Sequence, residues 1–196
     1  MTNLNNSSKA KNRTIGICMC ALFTALTAVG AFIKIPIPYM EFTLQFLFTT
    51  LAGLLLGAKR GAASVGVYVI LGLIGIPIFA EGGGFFYVLK PTFGYLVGFI
   101  IGTFVTGKIA NAVPNPSFKR ILAANFAGLG IVYALGIVYF YFAKNLWIEG
   151  GSISFAMTLW YCFVLAVPGD ILLCLLAAIL GKRLIPIVRK YIPKEN

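Results

Sequence analysis

Pro77-Ile-Phe-Ala-Glu-Gly-Gly-Gly-Phe-Phe-Tyr-Val-Leu-Lys-Pro-Thr-Phe-Gly-Tyr-Leu-Val-Gly98 joins two apolar runs, and its reading decides how the chain is organised. The run before it covers 61–76. The run after it opens at Pro91, a favourable first-turn residue for a helix, and ends near Lys108. Between them Gly82, Gly83 and Gly84 let the backbone turn with φ > 0 or approach a ligand closely. Phe85, Phe86, Tyr87 and Phe93 offer aromatic surface for an apolar pocket. Glu81 and Lys90 are two of the few charges close to apolar segments. The stretch reads as the lid and one wall of a small-molecule site at the outer end of a membrane bundle.

Composition supports the membrane setting. Of 196 residues, 60% are hydrophobic and 11% charged, against roughly a quarter charged in a soluble chain. Working outward from 77–98, apolar runs cover 15–33, 42–57, 61–76, 91–108, 121–143 and 155–180. Backbone groups in lipid must be paired within their own segment, so runs of this length are helices. The expected fold is all-α: six transmembrane helices in one domain over 15–183. A disordered polar tail precedes it over 1–14, and a basic tail follows over 184–196. The 42–57 and 61–76 runs are short against the ~20 residues of a full span, so tilt or a shallow hairpin around a basic turn at 58–60 is expected. The first run is longer than a signal-peptide core and reads as a span.

Charge sets the orientation. Thirteen of the sixteen lysines and arginines fall at the amino terminus, 58–60, 108–120 and the carboxyl tail; Lys34, Lys90 and Lys144 fall on the other side. The positive-inside rule then places both termini in the cytoplasm of a multi-pass plasma-membrane protein, with 77–98 outside. The net charge of +11 is thereby a topology and lipid-surface signal, not a nucleic-acid footprint.

Few residues are available for chemistry. Asp170 is the acid within a span, preceded by Pro168, which frees a nearby carbonyl. A carboxylate there is costly and needs a partner, either a ligand or another helix. Asn125 offers an amide to a ligand or across a helix pair. Thr43 and Gln45 either face the same cavity or cap a helix. Lys90 either receives an anionic ligand group or forms a surface ion pair with Glu81. Gly94, Gly98 and Gly102 repeat at the spacing of close helix packing. Ala21 and Ala25 repeat likewise and suit packing or a partner subunit.

Several function classes are excluded. Gly102-Thr-Phe-Val-Thr-Gly-Lys108 resembles a phosphate-binding loop, but Ile109 stands where the magnesium-binding Ser or Thr belongs. No nucleotide site is therefore expected. The chain has no histidine, no metal-ligand spacing and no second buried acid for acid–base catalysis. Its four cysteines read as small buried hydrophobes. No metal, cofactor or enzymatic activity is expected. Ion-driven transport lacks the paired broken helices it would need.

Thr43-Leu-Gln45, Leu51-Ala-Gly-Leu-Leu-Leu-Gly57, Pro77–Gly84, Pro91–Phe99, Ala124-Asn125 with Tyr133 and Gly136, and Pro168-Gly-Asp170 occur in an order that resembles the BioY family. These are the biotin-specific substrate-capture (S) components of energy-coupling-factor (ECF) transporters. The resemblance covers about residues 15–183. It implies a biotin-binding subunit working with a transmembrane coupling subunit and two ATPase subunits. Asp170 and Asn125 would meet the ureido ring, the aromatic loop would pack on the rings and valeryl chain, and Lys90 or the amides of Gly82–Gly84 would take the carboxylate. Ala21-Leu-Phe-Thr-Ala25 resembles the motif by which such components dock. The chain departs from the family pattern at Leu173, a lysine in many relatives, at Lys90, usually small, and at Phe93, usually glycine. An S component for another vitamin and a ligand-free membrane scaffold are the alternatives.

Overall fold

The computed structural model describes residues 2–37, 40–147 and 153–191. Helix α1 (Thr2–Phe32) leads into a two-stranded antiparallel hairpin, β1 (Lys34–Ile37) and β2 (Met40–Thr43). Then come α2 (Gln45–Leu56), α3 (Ala58–Leu73), a short 3-10 turn (Phe85–Leu89), α4 (Phe93–Ala110) and α5 (Phe118–Leu146). The last rod is α6 (Phe155–Leu159), a π-helical turn (Trp160–Val164) and α7 (Val167–Tyr191). Four stretches are long and apolar enough to cross a membrane: Asn12–Phe32, Phe93–Ala110, Phe118–Leu146 and Phe155–Tyr191. The fold is thus an all-α membrane bundle of six rods among the described residues.

Several expected boundaries move. The stretch 2–14, expected as disorder, continues α1 from Thr2, and α7 carries the helix through the basic tail to Tyr191. Residues 58–60, expected as a turn, are the first turn of α3. The reversal is made by Gly57 alone, at φ 89° with open space around it, a conformation costly for any other residue. The run expected to begin at 42 gives its first two residues to the hairpin, and its helix starts at Gln45. Pro91 lies just ahead of α4, whose N-cap is Thr92.

Packing rests on close backbone approach. A Cβ added to Gly94 would lie 2.2 Å from Tyr139 Cβ, one on Gly98 2.9 Å from Val132 Cα, and one on Gly102 2.9 Å from the Gly128 carbonyl oxygen. The glycine face of α4 therefore seats on α5. Buried hydroxyls also cross between helices: Thr103 donates to the Thr49 carbonyl at 3.1 Å and Thr106 to that of Ala124 at 3.1 Å. Bonds of this kind contribute only about 0.6 kcal/mol each in membranes, so small-residue packing dominates. At the end opposite the hairpin, Arg189 reaches Asn111 Oδ1 at 2.6 Å and Lys182 the Pro116 carbonyl at 3.0 Å, tying α7 to the α4–α5 connection.

Candidate functional site

A cavity of about 710 Å³ of atom-free space, its open mouth included, lies at the hairpin end of the bundle. Strand β2 and the start of α2 contribute Glu41, Phe42, Thr43, Gln45 and Phe46. The 77–92 connection contributes Ala80, Glu81, Tyr87 and Thr92. Tyr95, Leu96 and Phe99 come from α4; Leu129, Val132 and Tyr133 from α5; Ala166 and Asp170 from the last rod.

Local sequence explains each placement. The rod's α-helical ladder breaks at Trp160–Val164 and restarts at Val167, which sets Asp170 in the first turn of α7. Pro168 is tolerated there because first-turn amides lack intrahelical partners. The helix dipole favours a carboxylate at that position. Asp170 is buried, and its Oδ2 accepts a short hydrogen bond from the Tyr133 hydroxyl. Gly169 beside it lets the hairpin pack closely, since a Cβ would lie 2.6 Å from the tip of the Phe42 ring, which would have to shift.

Gln45 is oriented from both ends. Thr43 Oγ1 donates to its Oε1 at 3.0 Å, and its Nε2 donates to Tyr68 Oη at 2.7 Å. Tyr68, wholly buried, donates in turn to the Ile78 carbonyl at 3.0 Å. Phe79 packs between Tyr68, edge-to-face with ring centres 5.4 Å apart, and Tyr87, tilted with centres 4.5 Å apart. Burial pushes the Tyr87 phenol above its usual pKa, so it stays neutral.

The structure brings Asp170, Gln45, Thr43 and Tyr87 to one cavity. The other expected site residues stand elsewhere. Asn125 lies off the wall and donates from Nδ2 to the Cys174 carbonyl at 2.9 Å. Lys90 Nζ pairs with Glu81 Oε2 at 2.6 Å and sits 5.2 Å from the Tyr87 ring centre. Phe85 is 74% exposed and is not among the wall residues, and Phe93 packs on Tyr139 at 5.8 Å. The Gly82 amide bonds the Phe79 carbonyl at 3.2 Å and the Gly84 amide that of Gly72 at 2.7 Å. Gly83 is wedged, with a Cβ there 2.3 Å from the Ile76 carbonyl oxygen. Gly82 and Gly84 hold φ of 109° and 105°, so the glycine run shapes a pinned turn.

Sequence reasoning did not select Tyr133, Tyr95, Phe46 or Glu41 as wall residues. Tyr133 carried the clearest signal, a phenol in an apolar helix available to partner the acid of another. Chemically the wall offers acceptors, from Glu41, Glu81 and Asp170, within an apolar and aromatic shell. Among the described residues no cluster suits a metal ion.

A helical membrane bundle with a buried carboxylate in the wall of a cavity is an arrangement suited to a membrane protein that binds a ligand. The sequence matches the BioY family over residues 3–190. It is 45% identical over 190 residues to the probable biotin transporter BioY of Lysinibacillus sphaericus, covering 93% of this chain and 96% of that one. It is 40% identical over 164 residues to the biotin transporter BioY of Thermotoga maritima, covering 83% and 91%. A crystal structure described as the S-component for biotin from an ECF-type ABC transporter superposes with a TM-score of 0.75 at 27% identity, covering 88% of this chain and 91% of that one. The chain belongs to the BioY family, a family of transport proteins and not of enzymes.

Proposed function

We propose that this chain is the biotin-capturing subunit of an ECF-type importer in the plasma membrane. In this reading it crosses the membrane six times with both termini inside and opens its cavity outside. A coupling subunit and two ATPase subunits then drive biotin inward. The observation that carries the reading is Asp170, buried in the cavity wall of a BioY-family chain and held by Tyr133. An ionised carboxylate is acceptor-only and suits the paired N–H donors of a cyclic urea. Tyr95, Leu96, Phe99 and Val132 supply apolar surface for the fused rings and the valeryl chain.

Calorimetry on the full chain, purified from a biotin-free host, decides the ligand. Biotin should give saturable heat, and riboflavin and thiamine none. Absence of heat with micromolar biotin would overturn the reading. Heat with another vitamin would keep the fold's role and change its cargo.

A further inference from the structure

Glu41 stands on β2 at the cavity wall. Its Oε1 accepts from Lys34 Nζ at 2.5 Å, and the same ammonium donates to the Ala80 carbonyl at 2.8 Å. Its other oxygen, Oε2, is buried and has no hydrogen-bond partner among the described residues. A carboxylate oxygen withdrawn from water with no donor costs more than a net hydrogen bond returns. The Lys34 pair does not justify that cost, because it is a partly exposed rim pair of the kind that contributes little. Glu41 lines the cavity, so a ligand bound there is a source for the missing donor.

We infer that Glu41 is a second ligand acceptor alongside Asp170, and that it takes an N–H of an uncharged urea or amide. An anionic group fits poorly. No lysine or arginine is among the wall residues, while Glu41, Glu81 and Asp170 all are. Glu41 and Glu81 are each already paired with a lysine, Lys34 and Lys90, so neither lysine is free to receive an anion, and Asp170, held by a neutral phenol, leaves an uncompensated negative charge on the wall. An N–H donor meets an acceptor already in place. The inference rests on the biotin reading, since it concerns the same cavity. It adds a residue outside the Thr43-Leu-Gln45 block and a chemical class for its contact.

The test is calorimetry on the detergent-purified full chain with biotin and with its primary amide. Glu41→Gln should weaken at least one of the two at least tenfold. Lys34→Met breaks the same ion pair but keeps the carboxylate, and should weaken both less than threefold. Loss confined to the amide places Glu41 against the ligand's tail; loss for both places it against the ring; either supports the contact. The inference falls if Glu41→Gln changes neither ligand by as much as tenfold, or if Lys34→Met reproduces its loss. The second outcome would make the pair a structural clasp. Should Glu41→Gln not purify as a monodisperse species, Glu41→Asp, which draws the oxygens back by one methylene, is read by the same criteria. If the unsubstituted chain binds neither ligand, both readings fall. If it binds and the Glu41 variants are silent, only this one does.

Discussion

A buried carboxylate is stable only where its desolvation is offset. Around Asp170 the offsets are the Tyr133 hydroxyl and the first turn of α7. Neither supplies a counter-charge, so the residue keeps unused acceptor strength for a ligand. Asp170→Asn should therefore weaken biotin at least tenfold, about 1.4 kcal/mol, by calorimetry. An unchanged affinity would remove Asp170 from the contact. The isolation of this acid in an apolar run was legible from sequence, and so was that of Asn125. What sequence could not show was depth. Asn125 lies four residues before Leu129, on the same face of α5, and Leu129 is the lowest α5 residue on the wall. One helical turn, about 5.4 Å, separates a wall residue from one whose amide joins two helices.

At the scale of elements, the 77–92 connection is fixed by two routes that meet at Tyr68. One is polar, through Gln45 to Thr43. The other is aromatic, through Phe79 to Tyr87. Tyr68→Phe keeps the ring and deletes the hydroxyl, which frees the Gln45 amide to rotate and leaves the Ile78 carbonyl without its donor. Biotin affinity should fall roughly three- to tenfold, the effect of about one hydrogen bond. In the Gln45→Ala background the same change should cost less than half as much, because coupled residues are not additive. Full additivity would mean that Tyr68 acts on the fold alone. The sequence marked this connection as special but not how it is held. In a five-residue 3-10 turn successive side chains point about 120° apart, so Tyr87 turns inward while Phe85 and Phe86 turn out. No periodicity is long enough to reveal that. The hairpin at 34–43 was hidden for a related reason: Pro36 removes a ladder donor, which demotes a short strand in any pattern reading.

The whole bundle presents a different legibility. Long apolar runs are read easily because lipid leaves the backbone no alternative to the helix, and four of the six rods meet that criterion. Assembly with partners is a property of the outer surface, where α1 stands out. Ala21 and Ala25 are exposed on it, among Ile17 (61% exposed), Leu22 (49%), Val29 (51%) and Phe32 (60%). Lipid tails are as apolar as leucine, so exposure of large side chains alone does not drive association in a membrane. Close backbone approach does, and small residues permit it. A shallow stripe at Ala21 and Ala25 between bulkier neighbours is thus the place where a partner helix can gain contact that lipid cannot match. Ala21→Trp with Ala25→Trp should leave biotin affinity within threefold while cutting cellular biotin uptake more than tenfold and abolishing co-purification of the coupling subunit. Val67→Trp, on the exposed face of α3 (47% exposed), should leave uptake intact. Uptake that survives the double substitution would move the docking face off α1. Lost binding would show instead that the tryptophans reach through α1 into the core, where Phe23 and Thr27 pack one helical face away.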